Sequence, residues 1–77
     1  MNRIELLKNE ILEKRQARRI RIDGRKVYVD MQTANVCVQV HDALSDDNKV
    51  RFMTMPWDEC VATAWRLMLR PTTRASV

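Results

Sequence analysis

Two cysteines and a single histidine are the side chains in this sequence best suited to covalent or metal chemistry. Cys37 and His41 stand four apart, one helical turn, so a thiolate and an imidazole would share a face as nucleophile and base do. Cys60 adds a third soft ligand. The surrounding residues favour a plainer reading. Cys37 and His41 fall in the middle of the apolar stripe of NVCVQVHDAL, where a packed thiol and a satisfied core histidine are the ordinary outcome. Three ligands also fall short of the four that a structural zinc takes, and no C-x-x-C pair accompanies them. A Gly-rich phosphate loop, a G-x-S-x-G elbow and carboxylate pairs between apolar walls are missing from the sequence. No catalytic residue, metal or cofactor is expected.

The other concentration of chemistry is charge. Residues 14–26, KRQARRIRIDGRK, hold seven of the fourteen Lys and Arg against one acid, Asp23. That run carries a local charge of +6 in a chain of net +4, which leaves the remainder slightly acidic. Guanidinium forks pair with carboxylates and phosphates alike, so an acidic protein surface and a nucleic acid are both chemically suitable partners. A well-solvated hairpin is the third reading.

The elements that position this charge follow from periodicity. Asn2 with Glu5 forms a capping box, and Ile4, Leu7 and Ile11 recur at helical spacing. Glu5, Glu10 and Glu13 precede Lys14, Arg15, Arg18 and Arg19, an order that suits the helix dipole. A helix over residues 3–18 is predicted. The period then drops to two, and Asp23-Gly24 supplies a two-residue hairpin turn. The predicted hairpin, at residues 19–29, sets Arg21 opposite Lys26, Ile20 opposite Val27 and Arg19 opposite Tyr28. Ile20, Ile22, Val27 and Val29 make its apolar face. Arg19, Arg21, Lys26 and Tyr28 make the other, where charge and a stacking ring coincide.

Asp30 is a natural N-cap for MQTANVCVQVHDAL. Met31, Ala34, Cys37, Val38, His41 and Leu44 form its main apolar face, with Val36, Val40 and Ala43 as a second flank. A helix this apolar is a central one. Its second flank must be covered by the first helix or by a copy of the chain, making Val36, Val40 and Ala43 the candidate homodimer contact. Ser45 caps a short helix, DDNKVRFM, and a last helix runs over residues 56–69. Trp57, Cys60, Val61, Ala64, Trp65 and Met68 form its stripe, and the two tryptophans read as core anchors. Pro71 ends it, and residues 71–77 read as a flexible tail.

With 77 residues, 45% of them hydrophobic and one Gly, the chain has the composition of a single folded domain over residues 1–70 with a small core. The expected class is α+β, mostly α: an N-terminal helix, a two-stranded antiparallel hairpin, then three helices. No apolar run approaches 18 residues, and the first fifteen residues carry three Glu, so neither a membrane span nor a signal peptide is predicted. Reduced thiols and the missing signal point to the cytoplasm.

Residues 27–68 resemble short uncharacterised proteins of bacteriophage and prophage genomes. The likeness rests on Val29, Asp30, Thr33, Ala34, Val40, Asp42, Ala43, Leu44, Asn48, Phe52 and Trp65. It implies a small accessory protein in a host cytoplasm and assigns no functional site, because these are cap and core positions. The expected function is non-enzymatic: docking, as an accessory or inhibitory protein, on a larger host protein or ribonucleoprotein through Arg19, Arg21, Lys26 and Tyr28. The alternatives are a nucleic-acid-binding regulator that uses the same face and a structural subunit of a virion or assembly. A helix-turn-helix is excluded, since its recognition helix would begin PWDE and set Asp58 and Glu59 against phosphates.

Overall fold

The computed structural model describes residues 2–69, and the tail expected at 71–77 lies outside the described residues. Helix α1 (Arg3–Leu7) runs into a π-helical turn (Lys8–Leu12), followed by strands β1 (Arg18–Ile22) and β2 (Arg25–Val29). Three helices complete the chain: α2 (Met31–Ala43), α3 (Asp46–Thr54) and α4 (Trp57–Leu69). The fold is α+β and mostly α.

The starts of α1, α2 and α3 are held by the caps the sequence predicts. The Asn2 side chain accepts from Glu5 N at 2.8 Å and the Glu5 carboxylate accepts from Asn2 N at 3.1 Å. Asp30 Oδ1 accepts from Thr33 N at 2.6 Å, and Ser45 Oγ from Asn48 N at 3.4 Å.

The first helix is shorter than its periodicity suggests. Rather than reaching Arg18, it closes in a Schellman arrangement, with Gln16 N donating to Ile11 O and Arg15 N to Leu12 O, both at 3.2 Å. Arg15 occupies the left-handed position at φ 53°, where Gly is usual, so the sequence carried no stop signal. The reason for the early stop is tertiary. Arg18 pairs with Val29 as the first rung of the hairpin and so must be extended.

The hairpin register is the predicted one, with a further rung at each end: Arg18↔Val29, Arg19↔Tyr28, Ile20↔Val27, Arg21↔Lys26 and Ile22↔Arg25. Asp23 and Gly24 turn at φ 56° and 79°, both positive as a type I′ turn requires. Ile20, Ile22 and Val29 are buried and Val27 half-buried. Helix α2 is central, lying against α1 and the π turn and against α4. Val36 and Val40 are therefore buried within the single chain, while Ala43 is exposed. Val36 and Val40 belong to the buried core of the single chain. Among the described residues no helix is long and apolar enough to cross a membrane.

Candidate binding face on the hairpin

The ribbon can present a face only if something holds it, and its tip is held by one ion pair. Arg3 Nη2 donates to Asp23 Oδ1 at 2.9 Å, while Arg3 Nη1 donates to the carbonyls of Met55 at 2.9 Å and Phe52 at 3.3 Å. The other Asp23 oxygen accepts from Trp57 N at 3.1 Å. Helices α3 and α4 are joined by only Met55 and Pro56, so the carbonyl end of one lies beside the N–H end of the other. A guanidinium takes the first and a carboxylate the second, each charge placed where the helix dipole favours it. Arg3 also lies over the Trp57 ring, 5.8 Å from its centroid. The Arg3 side chain is 7% exposed and that of Asp23 42%. Partial burial works to raise the Asp23 pKa. The hydrogen bonds from Arg3 and Trp57, with the charges of Arg3 and Arg25, outweigh it and hold the carboxyl below its usual value.

Sequence reasoning missed this clamp, because Asp23 was already accounted for by the turn and Arg3 by the first helix. One signal was available. No Ser, Thr, Asp or Asn stands at position 56 to cap α4, so its first N–H groups needed an acceptor from elsewhere in the chain.

With the tip fixed, the hairpin's cations divide by face, since directly opposed residues share one. Arg18 and Arg25, opposite Val29 and Ile22, lie on the inner face. Both reach acids: Arg18 Nη1 stands 3.2 Å from Glu10 Oε1, and Arg25 Nη2 stands 3.7 Å from Asp58 Oδ2. Arg19, Arg21, Lys26 and Tyr28 are together on the outer face, and all four are exposed, Tyr28 by 65%. Among the described residues none of these three cations has an acidic partner. Arg21 Nη1 donates to the Gly24 carbonyl at 3.1 Å, which bends its guanidinium toward the tip. The pair Ile22–Arg25 flanks the two-residue turn and exchanges hydrogen bonds, so Arg21–Lys26 is a non-bonded rung with its side chains close. Two like charges directly opposed are mutually unfavourable.

The cysteines and the histidine make a different picture from the pair their spacing suggested. Cys37 and Cys60 are free thiols, both fully buried, on the packed helices α2 and α4. The neighbouring Cys60 thiol, then burial, pushes Cys37 far above its ordinary value, so it is held as a thiol and not as a nucleophilic thiolate. His41 Nδ1 donates to Asp42 Oδ1 at 2.9 Å, at the edge of the core. No group of three His, Cys, Asp or Glu side chains among the described residues is placed to hold a metal ion.

No family model, curated protein or solved structure matches the chain.

Proposed function

We propose that this chain is a non-enzymatic binding protein that docks on an acidic surface of a larger protein through Arg19, Arg21, Lys26 and Tyr28. The observation that carries this reading is the division of the hairpin's charges. The arginines on the inner face have carboxylates within reach; among the described residues the cations on the outer face have none, and Arg21 and Lys26 stand directly opposite each other. Opposed like charges are relieved by an anionic partner. Arginine and tyrosine are also the residues that carry most energy at interfaces, through bidentate pairing and large rigid contact area. The likeness of residues 27–68 to phage accessory proteins fits such a role, and it would make the partner a host protein or ribonucleoprotein.

A nucleic acid is the second reading, favoured by the exposed Tyr28 ring beside three cations. Its energetics are weaker. Three cations release about three counterions, a log–log salt slope of about −3, which supports only modest affinity. The deciding experiment captures host protein on wild type and on the charge-reversed Arg19→Glu, Arg21→Glu, Lys26→Glu variant, with and without nuclease. Capture of one stoichiometric protein that survives nuclease and is lost in the variant supports docking on protein. Capture abolished by nuclease supports nucleic acid, and capture unchanged in the variant removes this face from the function.

A further inference from the structure

We propose that a cleft beside the hairpin tip receives one large apolar side chain of the partner, so that the site recognises an apolar residue flanked by carboxylates. The inference rests on the reading of the outer face as a protein-docking surface, and it names what that surface selects.

The cleft has a volume of about 420 Å³ and lies where α1, the end of β1 and the end of α3 meet. Leu6, Ile22 and Met53 supply its apolar lining, with Arg21 and Thr54 among the residues at its edge. Arg3 and Asp23 also line it, but they are already engaged with each other, with three backbone groups and with the Trp57 ring. Their charges are mutually cancelled, which leaves the cleft mainly apolar. Its size falls in the lower range of cavities that hold small organic groups, and a single Phe or Leu side chain is well within it.

Arg21 joins the two parts of the site. It belongs to the unpaired outer face and also lines the cleft. Among the described residues its Nη1 alone is engaged, on Gly24, so its remaining N–H groups are available to a carboxylate. A peptide that seats an apolar side chain on Leu6 and Met53 brings its neighbouring acids to Arg21, and from there along the ribbon to Lys26 and Arg19. A nucleobase is a poorer occupant, since no aromatic ring lines the cleft to stack on it.

The test is fluorescence anisotropy with two dye-labelled peptides, Asp-Glu-Phe-Glu-Asp and Asp-Glu-Ala-Glu-Asp, titrated against the full chain at low salt. The Phe peptide is expected to bind about tenfold tighter, the return on burying most of one aromatic side chain. Thr54 is exposed at the cleft edge, so Thr54→Trp fills the cleft without entering the core. In that variant, shown folded by circular dichroism, the Phe advantage disappears while affinity for the Ala peptide is kept. Arg21→Gln weakens both peptides. Equal affinities for the two peptides in wild type, or a Phe preference that survives Thr54→Trp, overturn the cleft assignment while leaving charged docking intact. If neither peptide binds and a labelled oligothymidylate does, through the same cations, the protein-docking reading falls and the cleft assignment with it.

Discussion

On the inner face of the hairpin, Arg18 and Arg25 meet Glu10 and Asp58; on the outer face, Arg19, Arg21 and Lys26 are exposed and have no acidic partner among the described residues. The residue types are the same and the ribbon is the same. Pairing is set by which face the strand alternation assigns to each cation, because only the inner face looks onto helices that carry acids. The tip then fixes the ribbon in place through Asp23, held by Arg3 and by the start of α4. Inner charges and tip therefore work as structure, and they hold the outer charges in a set geometry that a mobile loop would not provide. A fixed arrangement spends its ordering entropy on folding rather than on association, which favours tighter docking.

The largest test of this contrast is at the tip. Arg3→Ala leaves the Phe52 and Met55 carbonyls without their buried donor and Asp23 without its cation. The expected loss is about 2–4 kcal/mol, read as a lowered urea midpoint, a large share of what a domain this small possesses. Peptide binding should weaken in the same variant, because the ribbon is no longer anchored. An unchanged midpoint would mean that the tip is not fastened by this pair and that the two faces do not differ in rigidity.

Asp23 gives the next largest effect and a pH signature. Its folded pKa lies below the ordinary 3.8, so the unfolded chain binds the proton more readily. Its contribution is fully present above the unfolded value and is lost as pH falls through the depressed folded one. Asp23→Asn should destabilise at neutral pH by less than Arg3→Ala, and the gap from wild type should close as pH falls through the depressed folded value. Asp42, whose pKa is lowered by its hydrogen bond from His41, adds acid sensitivity of the same sign and is present in both proteins. A gap that stays constant from neutral to acid pH would show that the Asp23 charge is not what holds the tip.

How far these features could be seen in the sequence follows from their range along the chain. The hairpin was legible because its turn chemistry and its period-two alternation independently select one register. The outer face of Arg19, Arg21, Lys26 and Tyr28 follows from that register, and so does the inner position of Arg25. The helix caps were legible because each acts within three residues. The stop at Arg15 was hidden, since the demand for it comes from strand pairing and a non-glycine residue accepts the left-handed position. The clamp was hidden for a stronger reason: its hydrogen bonds join residues 20, 34, 49 and 52 apart. No local pattern encodes such a meeting. Cys37 and His41 are one turn apart on α2 as their spacing implied, yet the thiol is fully buried in the core and the imidazole bonds Asp42. Spacing says which side chains can meet, and packing decides which do.

The inner pairs themselves should be unequal. Arg18 and Glu10 are partly sheltered at 3.2 Å, whereas Arg25 and Asp58 are 61% and 86% exposed at 3.7 Å. Arg18→Gln should therefore cost up to about 1 kcal/mol and Arg25→Gln almost nothing, with the Arg18 effect shrinking in high salt. Equal losses at both positions would indicate that what matters is placement on the inner face and not the quality of each pair.

A further small effect has the opposite sign and separates the two faces most sharply. Lys26 stands directly across from Arg21 on the outer face, a like-charge rung in a close, non-bonded position. Lys26→Glu converts that rung to an attractive one, and because both side chains are exposed the gain is small, about 0.5 kcal/mol or less. A residue whose only role is to support the fold does not leave stability unclaimed in this way. If the repulsion is retained because the face must stay cationic, Lys26→Glu should raise the melting midpoint slightly while weakening the acidic Phe peptide by about fivefold or more at low salt, an effect that fades as salt screens it. The same change on the inner face, Arg18→Glu, should lower the midpoint, since it sets Glu10 against a second carboxylate. A Lys26→Glu protein that melts lower and binds as well as wild type would show that the outer cations neither strain the ribbon nor serve a partner, and the distinction between the two faces would reduce to which acids happen to be near.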